Sequence, residues 1–176
     1  MVSCRSMLKG LAFATLSLPL SLTLAGLADA RSVRTVEGWE LNMTPQTCSM
    51  AATFADNVTI SLIWAPKTRE LGFMAALPHS YGLGKRKTAE LDLAFDGDGR
   101  YRQWQDLSAT LIGGRDSDGV IGNWGAAHSD ELANAVAAAG HVTVRVGGQE
   151  IGRYDLAGSP AAYRALLDCG KQLAGK

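Results

Sequence analysis

An uncharged apolar run from Gly10 to Leu27, closed by Ala28-Asp29-Ala30, decides what the rest of this chain is able to fold into. Arg5 and Lys9 supply a short positive region ahead of it. The small-x-small triplet behind it is the pattern that signal peptidase reads, which predicts cleavage before Arg31. The run approaches the ~18–20 apolar residues that span a bilayer, so the alternative is an uncleaved anchor. Pro19, the Ser and Thr content and the cleavage triplet argue against that alternative. No cysteine ends the run, so the usual lipoprotein processing site is missing. Residues 1–30 are thus read as a cleaved signal peptide, and residues 31–176 as one periplasmic or secreted domain. No later stretch has the length and apolarity for stable membrane insertion after that cut.

Export changes the meaning of the cysteines. Cys4 leaves with the signal, and Cys48 and Cys169 remain. An even pair in an oxidising compartment predicts one disulfide, tying the first strands to the last helix. Two free thiols or a metal pair are the alternative, weakened because no neighbouring His or Cys gives metal-ligand spacing. The chain carries 17 basic and 17 acidic side chains, and loss of Arg5, Lys9 and Asp29 leaves 15 and 16. A domain so close to neutrality lacks the basic excess of a nucleic-acid binder, and its overall field steers ligands weakly.

The mature chain opens with a short flexible lead at 31–35 and then reads as strands. Trp39 and Leu41 share one face, followed by Cys48, Met50 and Ala52. Val58, Ile60, Leu62 and Trp64 alternate with Thr59, Ser61 and Ile63; Leu71, Phe73, Ala75 and Leu77 alternate again. This period of two predicts half-buried strands turning at Ala65-Pro66-Lys67. Pro78 to Lys87 reads as a loop, Leu91, Leu93 and Phe95 as a strand, and Asp96-Gly97-Asp98-Gly99 as a turn onto Arg100–Trp104. Gly113 to Gly125, with five glycines, reads as a long loop.

Beyond it, Ser129 is expected to cap a helix whose apolar stripe is Leu132, Val136 and Ala139 and which Gly140 stops. Val142, Val144 and Val146 form a strand that turns at Gly147-Gly148 into Glu150–Leu156. Ser159 is expected to cap a final helix, with Pro160 in the first position and Ala162, Leu166, Cys169 and Leu173 on one face. Strands segregated from helices predict an α+β fold, an antiparallel β-rich sheet or sandwich with two helices near the C-terminus and one disulfide.

The search for chemistry is mostly negative. Gly82-Leu83-Gly84 is followed by Lys87 where a dinucleotide loop needs its third glycine. Ser117 sits in G-x-x-S-x-G spacing, not that of a nucleophile elbow. His79, His128 and His141 are scattered singly, and Arg100 breaks the calcium-loop spacing of Asp92, Asp96 and Asp98. No catalytic residue, metal or cofactor is therefore assigned. Asn42-Met43-Thr44 and Asn57-Val58-Thr59 are formal glycosylation sequons that matter only in a eukaryotic host. Lys85-Arg86-Lys87, next to Tyr81, is the single basic cluster, and Trp104 and Trp124 flank polar, glycine-rich segments. Core packing is the commoner fate of Trp, but exposed aromatics beside loops make contact anchors. Tyr81, Lys85, Arg86, Lys87, Trp104 and Trp124 are accordingly the candidate contact residues, on loops around 79–87 and 113–125.

The ending Asp155-Leu156-Ala157-Gly158-Ser159, continued by a helix of small residues to Cys169, resembles a recurring C-terminus of small exported proteobacterial proteins. With the upstream Trp39 and Cys48 it is similar to the invasion-associated locus B-like family. The resemblance covers some twenty C-terminal residues and those two positions. It implies a periplasmic, disulfide-bonded, non-catalytic domain and carries over no catalytic residue. The reading that follows is a non-catalytic binding or accessory protein of the bacterial envelope, its partner an envelope or extracellular protein or polymer and not a nucleic acid. An inhibitor of an envelope-attacking enzyme is one form of it. The alternatives are a small periplasmic hydrolase with an Asp/His site assembled by the fold, and a purely structural subunit.

Intact mass of the exported protein is expected to match a chain that starts at Arg31 and gains two hydrogens on reduction. An uncut chain with free thiols overturns the compartment.

Overall fold

The computed structural model describes residues 33–83, 87–97, 100–113 and 117–175. In chain order the elements are β1 (Val33–Val36), β2 (Trp39–Met43), β3 (Cys48–Thr53), β4 (Thr59–Ala65), β5 (Glu70–Pro78), a short 3-10 turn (His79–Tyr81), β6 (Thr88–Gly97), β7 (Arg100–Gly113), β8 (Ser117–Trp124), α1 (Ala126–Ala138), β9 (His141–Val146), β10 (Gln149–Asp155) and α2 (Ser159–Ala174). The strands form one ten-stranded sheet in the order β1-β2-β3-β4-β5-β8-β7-β6-β9-β10. Every neighbouring pair is antiparallel. The fold is α+β, with both helices near the C-terminus and the Cys48–Cys169 disulfide formed.

The alternation in sequence becomes register. Leu62 sits opposite Phe73 and Ile60 opposite Ala75. The same buried rows run on through Trp124 and Val120 of β8, opposite Leu71 and Ala75. On the other side of the sheet Leu91, Leu93 and Phe95 pair with Val146, Val144 and Val142, all buried. Opposed residues share a face, so each row adds to one apolar surface, worth roughly 1.5–3 kcal/mol for each Leu, Val or Phe fully removed from water. Helix α2 covers β1 to β4, α1 covers β5, β8 and part of β6, and the two helices touch.

Right-handed strand twist, accumulated over so many strands, coils the sheet until its far edge meets its beginning. The Trp39 indole N–H of β2 donates to the carbonyl of Ala157, just past β10, at 3.0 Å. The Tyr154 hydroxyl of β10 donates to Asp56, in the β3–β4 connection, at 3.0 Å.

Several expectations need correction. Residues 33–35 belong to β1 and not to a flexible lead, because they pair with Glu40, Leu41 and Asn42 of β2. The glycine-rich stretch 113–125 is not a long loop: Ser117–Trp124 is strand β8, between β5 and β7. Its Gly122 allows close packing, since a Cβ there would stand 3.0 Å from Leu91 Cδ2. Neither expected serine is an N-cap. Gly125 and Gly158 hold those positions, and both serines lie inside their helices, buried. Ser129 accepts from the Leu71 N–H at 2.9 Å and donates back to Trp124 O at 3.2 Å. Ser159 donates to Val136 O at 3.0 Å, joining α2 to α1.

Cys48 opens β3 and Cys169 lies in the second half of α2, their Cα atoms 6.2 Å apart and 121 positions apart in sequence. On the chain-entropy account, closing so long a loop stabilises the fold by about 4–5 kcal/mol. Replacing both cysteines by alanine is expected to lower the unfolding free energy in urea by about 3–5 kcal/mol; a loss below about 1 kcal/mol would show that the staple is dispensable.

Candidate functional site

Two sequence segments proposed as contact loops end beside each other. Pro78, the last residue of β5, pairs with Ser117, and Gly113 of β7 pairs with Asp118. The Leu111 N–H donates to the carbonyl of Lys87 at 2.8 Å, fastening the start of β6 to the end of β7. His79 Nε2 stands 3.7 Å from Asp118 Oδ1 across the same end. This end of the sheet carries Lys87, His79 and Ser80, all exposed, and Ile112, a large apolar side chain that is 52% exposed and, standing opposite Gly119, lies on the face of the sheet away from Asp118. Lys85 and Arg86 lie outside the described residues.

The other candidates are placed differently. Tyr81 is half-buried, and its hydroxyl donates to Ile151 O at 3.3 Å, with Asp56 Oδ2 at 3.5 Å. It is held down, not presented. Trp124 is no exposed anchor: it is 4% exposed and meets the Phe73 ring edge-on at 6.4 Å. Trp104 lies on β7, with its side chain outside the described set.

Sequence reading missed the carboxylate that gathers two tyrosines. Asp56 turns Oδ1 to the Val58 N–H at 3.2 Å and Oδ2 to the phenols of Tyr154 and Tyr81. The only trace in sequence is an Asp-Asn pair of the sort that makes turns, ahead of a strand. Phe54 packs its ring 4.7 Å from that of Tyr154. Burial first, and then the bond and charge of Asp56, hold the Tyr154 phenol far above its ordinary range. It keeps its proton and serves as a donor that latches β10 over the β3–β4 connection.

Each histidine has a carboxylate within reach: His79 with Asp118, His128 with Glu131 at 3.8 Å, and His141 with Asp96 at 3.5 Å. These pairs occupy separate surfaces, and Asp96 is shared with Arg153 at 2.7 Å. A hydrolytic site that works through a covalent intermediate needs a side-chain nucleophile on the histidine as well; without one, such a pair acts only on water. Ser117 neighbours Asp118 along β8, and successive strand residues face opposite sides, so Ser117 turns away from the face that carries the His79 pair. Ser129 and Ser159 are spent on backbone carbonyls. Among the described residues no group of three or more His, Cys, Asp or Glu is placed to hold a metal. Nor, among them, is any helix long and apolar enough to cross a membrane.

A cleft of about 330 Å³ opens elsewhere, between the β1–β2 hairpin and α2. Its floor is Leu41, Met43, Ala165 and the disulfide at Cys169, and its rim is Arg34, Asn42, Asp168 and Gln172. The volume falls within the range of small-ligand sites, and the one cysteine sulfur of the lining is taken up in the disulfide.

The tyrosine latch makes stability depend on alkaline pH. The folded state raises the pKa of Tyr154 above the unfolded value of about 10, so its contribution is complete below that pH and is lost as pH climbs past it. Tyr163, raised mainly by burial, acts in the same direction. Urea unfolding is expected to show stability falling above about pH 10, by up to about 1.4 kcal/mol per pH unit for each such tyrosine. Tyr154→Phe is expected to flatten this slope, and an unchanged slope refutes the latch. No protein-family model, curated protein sequence or solved structure matches this chain.

Proposed function

We propose that this chain is a non-catalytic binding or accessory domain of a bacterial envelope, exported to the periplasm or beyond. It holds a protein or polymer partner through the end of the sheet where His79, Ser80 and Lys87 meet Leu111–Gly113 and Ser117–Asp118. One observation carries this reading: Ile112, an isoleucine left more than half exposed, stands in a patch built by segments that the sheet brings together from distant sequence. A large apolar side chain left exposed at an end of the sheet that also carries the exposed Lys87 and His79, with Asp118 on the opposite face, has the make-up of a contact anchor. The apolar leader, the disulfide and the resemblance of the C-terminal ending all agree with an extracytoplasmic site of action. An inhibitor that presents this patch from a stapled scaffold is one form of the same proposal. The His79–Asp118 pair favours a second reading, a hydrolase using that pair as base and orienting group.

A photo-crosslinking side chain at position 112, in the protein expressed in its native host, is expected to trap a discrete adduct in the envelope fraction. Lys87→Glu is expected to abolish the adduct while shifting Tm by no more than about 2 °C, as a surface change does. Absence of an adduct, or one indifferent to Lys87→Glu, overturns the contact patch. Ester or phosphoester turnover that disappears in His79→Ala would establish the hydrolase instead.

A further inference from the structure

The first hairpin leaves one row of backbone groups without a partner. Its turn is two residues long, Glu37 and Gly38, with φ of 47° and 88°. Positive φ at both positions marks the primed turn of a tight hairpin, in which the flanking residues Val36 and Trp39 exchange hydrogen bonds. Antiparallel pairs alternate between bonded and non-bonded, so Arg34 and Leu41 are the next bonded pair. The N–H and C=O groups of Val33 and Thr35 therefore point outward, away from β2. Strand β1 is an end of the sheet, and among the described residues no hydrogen bond reaches those groups.

The cleft lies against this same edge. Arg34 and its partner Leu41 share the face that looks toward α2, and both line the cleft. Its floor is apolar. On its rim Asp168 is already paired with Lys171 at 2.9 Å, whereas among the described residues Arg34 has no carboxylate within ion-pair distance. The disulfide at Cys169 fixes the helix wall relative to β3, so the cleft is preformed. An outward backbone row spaced as a strand is satisfied in full by another strand. A pocket beside it receives every second side chain of such an addition, and an unpaired guanidinium calls for an acid.

We infer that the outer edge of β1, together with this cleft, accepts an extended segment of a partner protein as an added strand, seating an apolar side chain on Leu41 and Met43 and a carboxylate on Arg34. This surface lies at the far end of the hairpin from the Glu37–Gly38 turn and is independent of the patch around Ile112.

The probe is an acetylated, amidated hexapeptide alternating Val with Thr, one Thr replaced by Glu, titrated into the purified protein and followed by backbone amide NMR. Shifts are expected at Val33, Arg34, Thr35, Leu41 and Met43, with the Thr35 amide slowing its exchange with solvent. Thr35→Pro removes an outward N–H without breaking the β1–β2 ladder, a place where edge strands tolerate proline, and is expected to weaken binding about ten-fold or more. Arg34→Glu, a surface change, is expected to reverse the preference toward the same peptide carrying Lys in place of Glu. Lys87→Glu is expected to leave affinity unchanged. Three results would each overturn the proposal: no binding, shifts confined to other surfaces, or equal affinity in Thr35→Pro and Arg34→Glu. Slow exchange at Val33 and Thr35 in the protein alone would also overturn it, because the chain would then be covering its own edge.

Discussion

The bond between Cys48 and Cys169 is the constraint on which the rest of this structure depends. It joins the start of β3 to the second half of α2 across 121 positions of sequence, so the last helix stays tethered to the first strands even in the unfolded chain, until the bond is reduced. Helix α2 has an ordinary amphipathic face, Ala162, Leu166 and Leu173, that would pack without help. The disulfide adds a fixed position to that packing. With the helix tied to β3, one wall of the cleft between α2 and the β1–β2 hairpin is held in place. The staple thus links stability to a surface, which matters for a domain whose low charge gives it little long-range attraction for a ligand.

A sheet of ten strands cannot stay flat, and this one is closed by polar contacts at the places where its ends meet. The Trp39 indole, the Tyr154 phenol and the Tyr81 phenol each reach from one half of the coil to the other. The Trp39 and Tyr81 bonds to carbonyls are neutral and contribute about 0.5–1.5 kcal/mol net each, whereas the Tyr154 bond to the Asp56 carboxylate is of the stronger, charge-assisted kind, about 1.5–3 kcal/mol. Their aromatic bodies contribute more by burial, and the polar tips set the direction in which the rings point. Asp56 is what makes two of these contacts converge. Because one of its oxygens is committed to the Val58 N–H, the carboxylate cannot swing away from the phenols without undoing its own turn.

The fold was legible in the sequence where period and chemistry agreed. Leu71-x-Phe73-x-Ala75-x-Leu77 and Leu91-x-Leu93-x-Phe95 announced their strands, and Cys48 with Cys169, the even pair left once residues 1–30 are read as a leader, announced their bond. It was illegible where one residue type serves two purposes. Gly119 and Gly122 read as loop residues, yet they lie within β8, and Gly122 makes room for Leu91. Ser129 and Ser159 read as caps because a hydroxyl at a helix start usually is one; here Ser129 takes the Leu71 N–H and Ser159 reaches the Val136 carbonyl, partners that only the tertiary fold supplies. Of the candidate site, the meeting of Pro78, His79 and Lys87 with Leu111, Gly113, Ser117 and Asp118 was half visible. Both segments were marked by composition, but only the pairing of β5 with β8 and β6 with β7 could place them together. The cleft was invisible, because its lining comes from β1, β2 and α2 at positions that no local pattern connects.

The two ends of the sheet are treated unequally. On β10, Ile151 is the residue skipped where the pairing with β9 shifts register, and its carbonyl is taken up by the Tyr81 phenol. Just beyond the strand, the Ala157 carbonyl is taken up by Trp39. A bulge and side-chain caps are recognised ways of blunting a strand edge against unwanted pairing. β1 carries neither a bulge nor, among the described residues, a cap on Val33 or Thr35, and its protection is its shortness. Four residues are too few to nucleate open-ended aggregation but enough to dock a single strand with a side chain in the cleft alongside. An edge left short and unbulged beside a preformed pocket, on a sheet whose other edge is blunted, is an arrangement suited to selective pairing.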